Sequence, residues 1–141
     1  MAQIDGVRRS LDIAMYAFTD KYLADAVLRA ARRGVRVRVY RDRQQFEEEQ
    51  RRAAQHDSES TSDMFHGESN IQVRVKSSHE LMHLKAYCVD GVLLRDGSAN
   101  WSPSGLKRQD NNARYVSDNA QVQAFERVFD GYWTRDNQIV Q

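Results

Sequence analysis

Proline and cysteine are almost missing from this chain. One proline, Pro103, and one cysteine, Cys88, occur in 141 residues. A single cysteine excludes an intrachain disulfide framework, so packing must hold the fold. Cys88 lies in an apolar run and reads as a small buried core residue that suits a reducing compartment. No stretch approaches the ~20 apolar residues of a membrane span, and no basic start followed by an apolar run marks a signal peptide. A soluble protein without stable membrane insertion is expected, with the cytoplasm slightly preferred. A dominant charge is missing as well: 21 Lys and Arg stand against 20 Asp and Glu, a net charge of +1. A polyanionic partner would therefore have to meet a local basic patch.

The length fits one domain with a real core. Apolar content of 40% and charged content of 29% are those of a globular protein. Residues 3–9 read as the last turns of a helix feeding a strand in LDIAMYAF, which is dense enough in apolar residues to be buried on both faces. Thr19-Asp20 offers an N-cap for a helix over KYLADAVLRAARR, and Gly34 ends it. Val35, Val37 and Val39 alternate with Arg36, Arg38 and Tyr40, giving a strand with one apolar face. The start is thus β-α-β, with parallel strands. Residues 43–70 change character, with a polar helix over RQQFEEEQRRAAQ and then a turn-rich stretch expected to be a mobile loop insertion. Ile71 to Val75 alternate as a strand. Leu84 to Val89 and Val92 to Leu94 flank Asp90-Gly91 and read as a hairpin. Ser102-Pro103 starts a short helix, Ala113 to Val116 form a short strand, and Val122, Phe125, Val128, Phe129, Tyr132 and Trp133 stripe a closing helix.

The chemistry lies between His83 and Asn100. The stretch has the form HxKxxxxDxxxxxxGSxN, carried by His83, Lys85, Asp90, Gly97, Ser98 and Asn100. Each residue alone has an ordinary reading, and Asp90-Gly91 is explained by the hairpin. Six fixed residues over eighteen positions are a different matter. An imidazole can attack phosphorus or carry a proton, while a lysine, a hydroxyl and a carboxamide can hold phosphate oxygens. His83 and Lys85 are two apart on an expected strand and so share a face.

This pattern resembles the HKD signature of the phospholipase D superfamily. SLDIAMYAFTD, the helix through ARRGVRVRVY and the final aromatic helix resemble the small single-motif nucleases of that family in bacteria, and their mitochondrial relatives. The resemblance implies an α/β fold with a mixed, mostly parallel sheet flanked by helices, in a single domain over 1–141. It implies a two-fold homodimer whose shared active site pairs His83 with its symmetry mate. Family members usually have a further strand and a full helix before SLDIAMY, so a longer parent chain is expected. Where they carry a glutamate-asparagine pair, this chain reads Asn111-Asn112. An asparagine accepts a hydrogen bond but cannot stabilise an imidazolium by charge, so weakened activity is expected.

The reading is a metal-independent phosphodiesterase, foremost an endonuclease on DNA or RNA with little sequence preference. His83 of one protomer attacks phosphorus to give a phosphohistidine, and its mate protonates the leaving oxygen. Lys85, Ser98 and Asn100 hold the phosphate, and Asp90 joins the motif in a structural or charge-balancing part. Arg36, Arg38, Lys107, Arg108, Asn111 and Asn112 are the candidate substrate-binding residues; Arg41, Arg43, Arg51 and Arg52 could also line a groove. No metal ligands fall at zinc spacings, and no cofactor is called for. Two alternatives stand beside this: a cardiolipin-type lipid hydrolase, and a non-catalytic nucleic-acid-binding dimer.

Overall fold

The computed structural model describes residues 2–77, 85–96, 114–135 and 137–141. A helical turn, α1 (Ala2–Asp5), precedes β1 (Ser10–Met15). Helix α2 (Lys21–Arg32) carries the chain to β2 (Arg36–Arg41). The Asp20 carboxylate accepts from the N–H groups of Tyr22 and Leu23 at 2.8 and 3.3 Å, as an N-cap should. Gly34, at φ +97°, turns the chain after the helix, a conformation that costs glycine little. Helix α3 (Arg43–Gln55) covers the polar stretch that the sequence assigned to it.

Residues 56–70 depart from the loop expected. Ser60 and Asp63 form a reciprocal capping box for a one-turn helix, α4 (Thr61–Met64). The Thr61 hydroxyl donates to the Phe18 carbonyl, and Phe65 is buried edge-to-face on Phe18, with ring centres 5.8 Å apart. One aromatic and one capping box suffice to fasten a segment of otherwise polar composition. Then follow β3 (Ile71–Lys76), β4 (Lys85–Val89) and β5 (Leu93–Asp96). The β4–β5 hairpin turns through residues 90–92, with Asp90 and Gly91 at φ of +54° and +68° and the Val92 N–H donating to the Val89 carbonyl at 3.0 Å, the positive φ values a tight turn between twisted strands needs. Last come β6 (Arg114–Val116), the aromatic helix α5 (Asn119–Trp133) and β7 (Asn137–Ile139), a short strand with no period in its sequence to announce it. The short helix expected from Ser102 lies outside the described residues.

The seven strands among the described residues form one sheet in the order β6-β5-β4-β1-β2-β3-β7. The sheet is mixed, as expected, but parallel pairing is confined to its centre, β1–β2 and β2–β3; the other four pairings are antiparallel. The β4–β5 connection is too short for a crossover, so it imposes an antiparallel pair. Leu11, Ile13, Val37, Val39 and Val73 pack on one face against Leu23, Val27 and Ala30 of α2. Ala14, Tyr40, Ala86, Cys88 and Leu94 pack on the other against Val122, Phe125, Phe129 and Trp133 of α5. Two expectations change here. Val128 is half exposed rather than core. The second face of β2 is covered, because the α5 stripe buries Tyr40 and most of Arg38.

Candidate active site at the carboxyl ends of the parallel strands

Strand register brings Lys85 and the end of β5 to one side of the sheet. Lys85 opens β4 directly opposite Met15, the last residue of β1. Asp96, the last residue of β5, pairs with Ala86, and Arg114, the first of β6, pairs with Asp96. β3 ends at Lys76 on the same side, since Val75 pairs with Arg41 at the end of β2. The two segments that bear His83 and Gly97-Ser98-Ala99-Asn100 are therefore both tethered to one end of the sheet. It is the carboxyl end of the parallel strands, where open α/β sheets bind their ligands. His83, Ser98 and Asn100 themselves lie outside the described residues, as do Lys107, Arg108, Asn111 and Asn112.

Asp90 belongs to the opposite end. Its carboxylate accepts from the backbone N–H groups of Arg8, Arg9 and Ser10, at 3.1, 2.6 and 3.0 Å. Burial works to raise its pKa, but these donors outweigh it and hold the carboxyl below its ordinary value. It sits five strand positions from Lys85, roughly 17 Å along the pleat. Among the motif residues, Asp90 thus ties the chain before β1 to the hairpin turn, the structural part that its turn position already implied.

The candidate substrate-binding arginines are dispersed. Arg36 is exposed at the amino end of β2, opposite Ser10, remote from Lys85. Arg38 lies inside a polar cluster beneath α5, away from any groove. Its guanidinium donates to both Asp12 oxygens at 2.8 and 2.9 Å, pairs with Asp130 at 3.0 Å, and lies 3.8 Å from Glu126. It also stacks over the rings of Phe129 and Trp133. Burial acts to lower its pKa, but hydrogen bonds and charge from Asp12 and Asp130 raise it. Burial, and then hydrogen bonding to Asp12, push Glu126 up to about 7. Burial and Glu126 raise the Cys88 thiol, so it stays protonated.

Arg41 is at the carboxyl end but is committed. It pairs with Glu49 at 2.6 Å and donates to the carbonyls of Met15 and Tyr16, while Glu49 also accepts from the Phe18 N–H. This buried pair, which composition alone did not mark as structural, shapes the exit of β1. Arg51 and Arg52 pair with Glu48, and Arg43 with Glu47, as ordinary helix-surface ion pairs. His56 and His66 are exposed beside α3 and α4. A cleft of about 190 Å³ opens between Phe18, Lys21, Arg52, His56 and Ser60, and no motif residue lines it.

An α/β sheet with helices on both faces, whose Lys85 and Asp96 stand level with the carboxyl end of its parallel strands, defines a class. A family model described as "Cardiolipin synthase, PLD-like domain" matches residues 1–133. The chain belongs to this phospholipase D-like domain family. It is 32% identical over 125 residues to a mitochondrial cardiolipin hydrolase of Chlamydomonas reinhardtii, covering 89% of this chain and 52% of the relative. The chain thus spans about half the length of that curated relative. Among solved structures it superposes on Nuc, a phospholipase D family member of Salmonella typhimurium. That match has a TM-score of 0.75 and 20% identity, and covers 99% of this chain and 87% of the other. NucT of Helicobacter pylori matches with a TM-score of 0.72 and 23% identity, over 94% and 83% of the two chains. Both structures share the phospholipase D-like fold.

Proposed function

We propose that this chain is a metal-independent phosphodiesterase, most directly a nuclease of low sequence preference on DNA or RNA, acting through a phosphohistidine on His83. The observation that carries this is the tethering of both arms of the HKD motif to one end of the sheet. A phosphodiester resists attack because its anionic oxygens repel nucleophiles and its leaving alkoxide is poor. Division into two steps lowers each barrier. The neutral His83 imidazole attacks phosphorus, forming an N–P bond as the P–O bond to the leaving group breaks. A second, protonated imidazole gives its proton to that oxygen, then takes one from the water that hydrolyses the N–P bond. Lys85, Ser98 and Asn100 neutralise and orient the phosphate oxygens. One motif per chain and two imidazoles per reaction make the working unit a two-fold homodimer. Asn111 in place of a carboxylate lowers the rate without changing the route.

A second reading has a specific support: the curated relative at 32% identity is named a cardiolipin hydrolase. Among the described residues no helix is long and apolar enough to cross a membrane. A lipid substrate would then be met at a bilayer surface.

The test is to incubate the protein with labelled single- and double-stranded oligonucleotides and, separately, with cardiolipin vesicles, all with excess chelator. Chelator-resistant cleavage of oligonucleotide is expected. Phosphatidic acid release alone would move the assignment to the lipid. Tight nucleic-acid binding without cleavage would favour a non-catalytic dimer. Sedimentation should give a dimer; an active monomer contradicts the shared site.

A further inference from the structure

Three arginines lie almost wholly inside this molecule or its polar clusters, and two of them are neutralised. Arg38 has Asp12 and Asp130, and Arg41 has Glu49. The third, Arg95 on β5, is 4% exposed, yet among the described residues no carboxylate pairs with it. Its Nη1 is buried without a hydrogen-bond partner. Its one described contact is the face of the Tyr87 ring, 5.9 Å from the guanidinium carbon. A buried cation with unused donors is costly, and a bound anion is one partner that would complete it.

The place of Arg95 says which anion. Register sets Arg95 across from Tyr87 on β4 and from Tyr115 on β6, so the guanidinium stands between two tyrosine positions. Tyr87 is two residues after Lys85, and Arg95 is two residues before Gly97. One pleat period, roughly 6.6 Å, separates this row from the strand position of Lys85. An arginine stem is about that long. Tyr115 is half exposed on the edge strand of the sheet.

We propose that Arg95 is a substrate-binding residue that donates its free guanidinium N–H groups to a phosphate oxygen of the phosphodiester held at the HKD motif. This rests on the phosphodiesterase reading above, and it adds a residue outside the motif. The planar fork suits two phosphate oxygens at once. The same chemistry serves a nucleic-acid backbone or a cardiolipin headgroup, and the experiment separates them.

Thermal unfolding would be followed with and without inorganic phosphate for the full chain, Arg95→Met, Arg95→Lys and, as a remote exposed control, Arg36→Met. Phosphate should raise the midpoint of the wild type and of Arg36→Met, and leave Arg95→Met unmoved. Without phosphate, Arg95→Met should be at least as stable as the wild type. Equal phosphate stabilisation in Arg95→Met, or none in the wild type, overturns the proposal. Should Arg95→Met fail to fold, Arg95→Lys decides: it keeps the charge and loses the fork, so phosphate should bind it several-fold more weakly, and equal binding is a refutation. With the cleaved substrate, oligonucleotide or cardiolipin vesicle, Arg95→Lys should raise KM about tenfold with a smaller change in kcat. Arg95-dependent phosphate binding without cleavage of either substrate would keep the anion site and sink the catalytic reading. Cleavage with unchanged KM would do the reverse. A change in oligomeric state with no change in phosphate binding would mean that a second copy of the chain supplies the anion, against the proposal.

Discussion

The two ends of β4 carry parts of the same eighteen-residue signature and do opposite things. At the Asp90 end one carboxylate gathers three backbone N–H groups and locks the hairpin turn to the chain before β1. At the Lys85 end the strands stop, two motif segments are attached, and a buried guanidinium nearby has a donor to spare. A sequence signature therefore mixes scaffold with chemistry, and spacing alone does not separate them. The hydrogen bonds of each residue do: the Asp90 carboxylate is engaged by three backbone donors, whereas the Arg95 Nη1 is buried without a partner.

That contrast can be broken by substitution. Arg38→Met removes the partner of buried Asp12 and should cost about 3–5 kcal/mol in urea unfolding, because a stranded buried carboxylate is expensive. Nucleic-acid affinity per folded molecule should be unchanged. A selective loss of affinity without loss of stability would return Arg38 to a binding groove. Lys85→Met should lower kcat about a hundredfold or more, near 3 kcal/mol of transition-state stabilisation, while the unfolding midpoint moves little. Equal losses of rate and stability would make Lys85 a scaffold residue. Asp90→Ala leaves the N–H groups of Arg8, Arg9 and Ser10 without their acceptor and places alanine at positive φ, which together should cost about 2 kcal/mol or more. Its kcat per folded molecule should stay within a few-fold of wild type.

The smallest effect is one of pH. Glu126 is held protonated up to about pH 7 by burial and by Asp12, whereas in the unfolded chain it ionises near its ordinary value of 4.5. Between those values the folded state binds the extra proton, so stability should fall as pH rises from about 4.5 to 7 and level off above. Glu126→Gln should flatten this fall. Unfolding free energies measured at half-unit steps would show the slope, and an unchanged slope in the variant would assign it elsewhere.

Much of the fold was legible because its signals are local. Asp20 and Gly34 bracket α2, the alternation of valines marks β2 and β3, and Asp90-Gly91 announces a hairpin that the φ angles confirm. What escaped depends on partners distant in sequence. Val-Arg-Val-Arg reads as a half-solvated strand until α5, ninety residues on, lays Phe129 and Trp133 over Arg38. The 56–70 stretch looked unfixed by composition, although Ser60 and Asp63 spelled a capping box. β7 has only three residues and exists because the edge of β3 was open. For the site, the HKD motif was plain in the sequence, and register brings the strand positions of Lys85 and Asp96 to one sheet end. Arg95 was invisible, since a lone arginine in a short strand looks like any solvent-facing alternation until the structure shows it buried and unpaired.

The most direct test sets the two ends of β4 against each other in one assay. Oligonucleotide cleavage would be timed, with excess chelator, for the wild type, His83→Ala and Asp90→Asn, each corrected for its folded fraction. Cleavage should persist in the wild type, fall at least ~10⁴-fold in His83→Ala, and stay near wild type in folded Asp90→Asn. Cleavage undiminished in His83→Ala, or abolished in fully folded Asp90→Asn, would contradict the placing of the chemistry at the carboxyl end of the sheet.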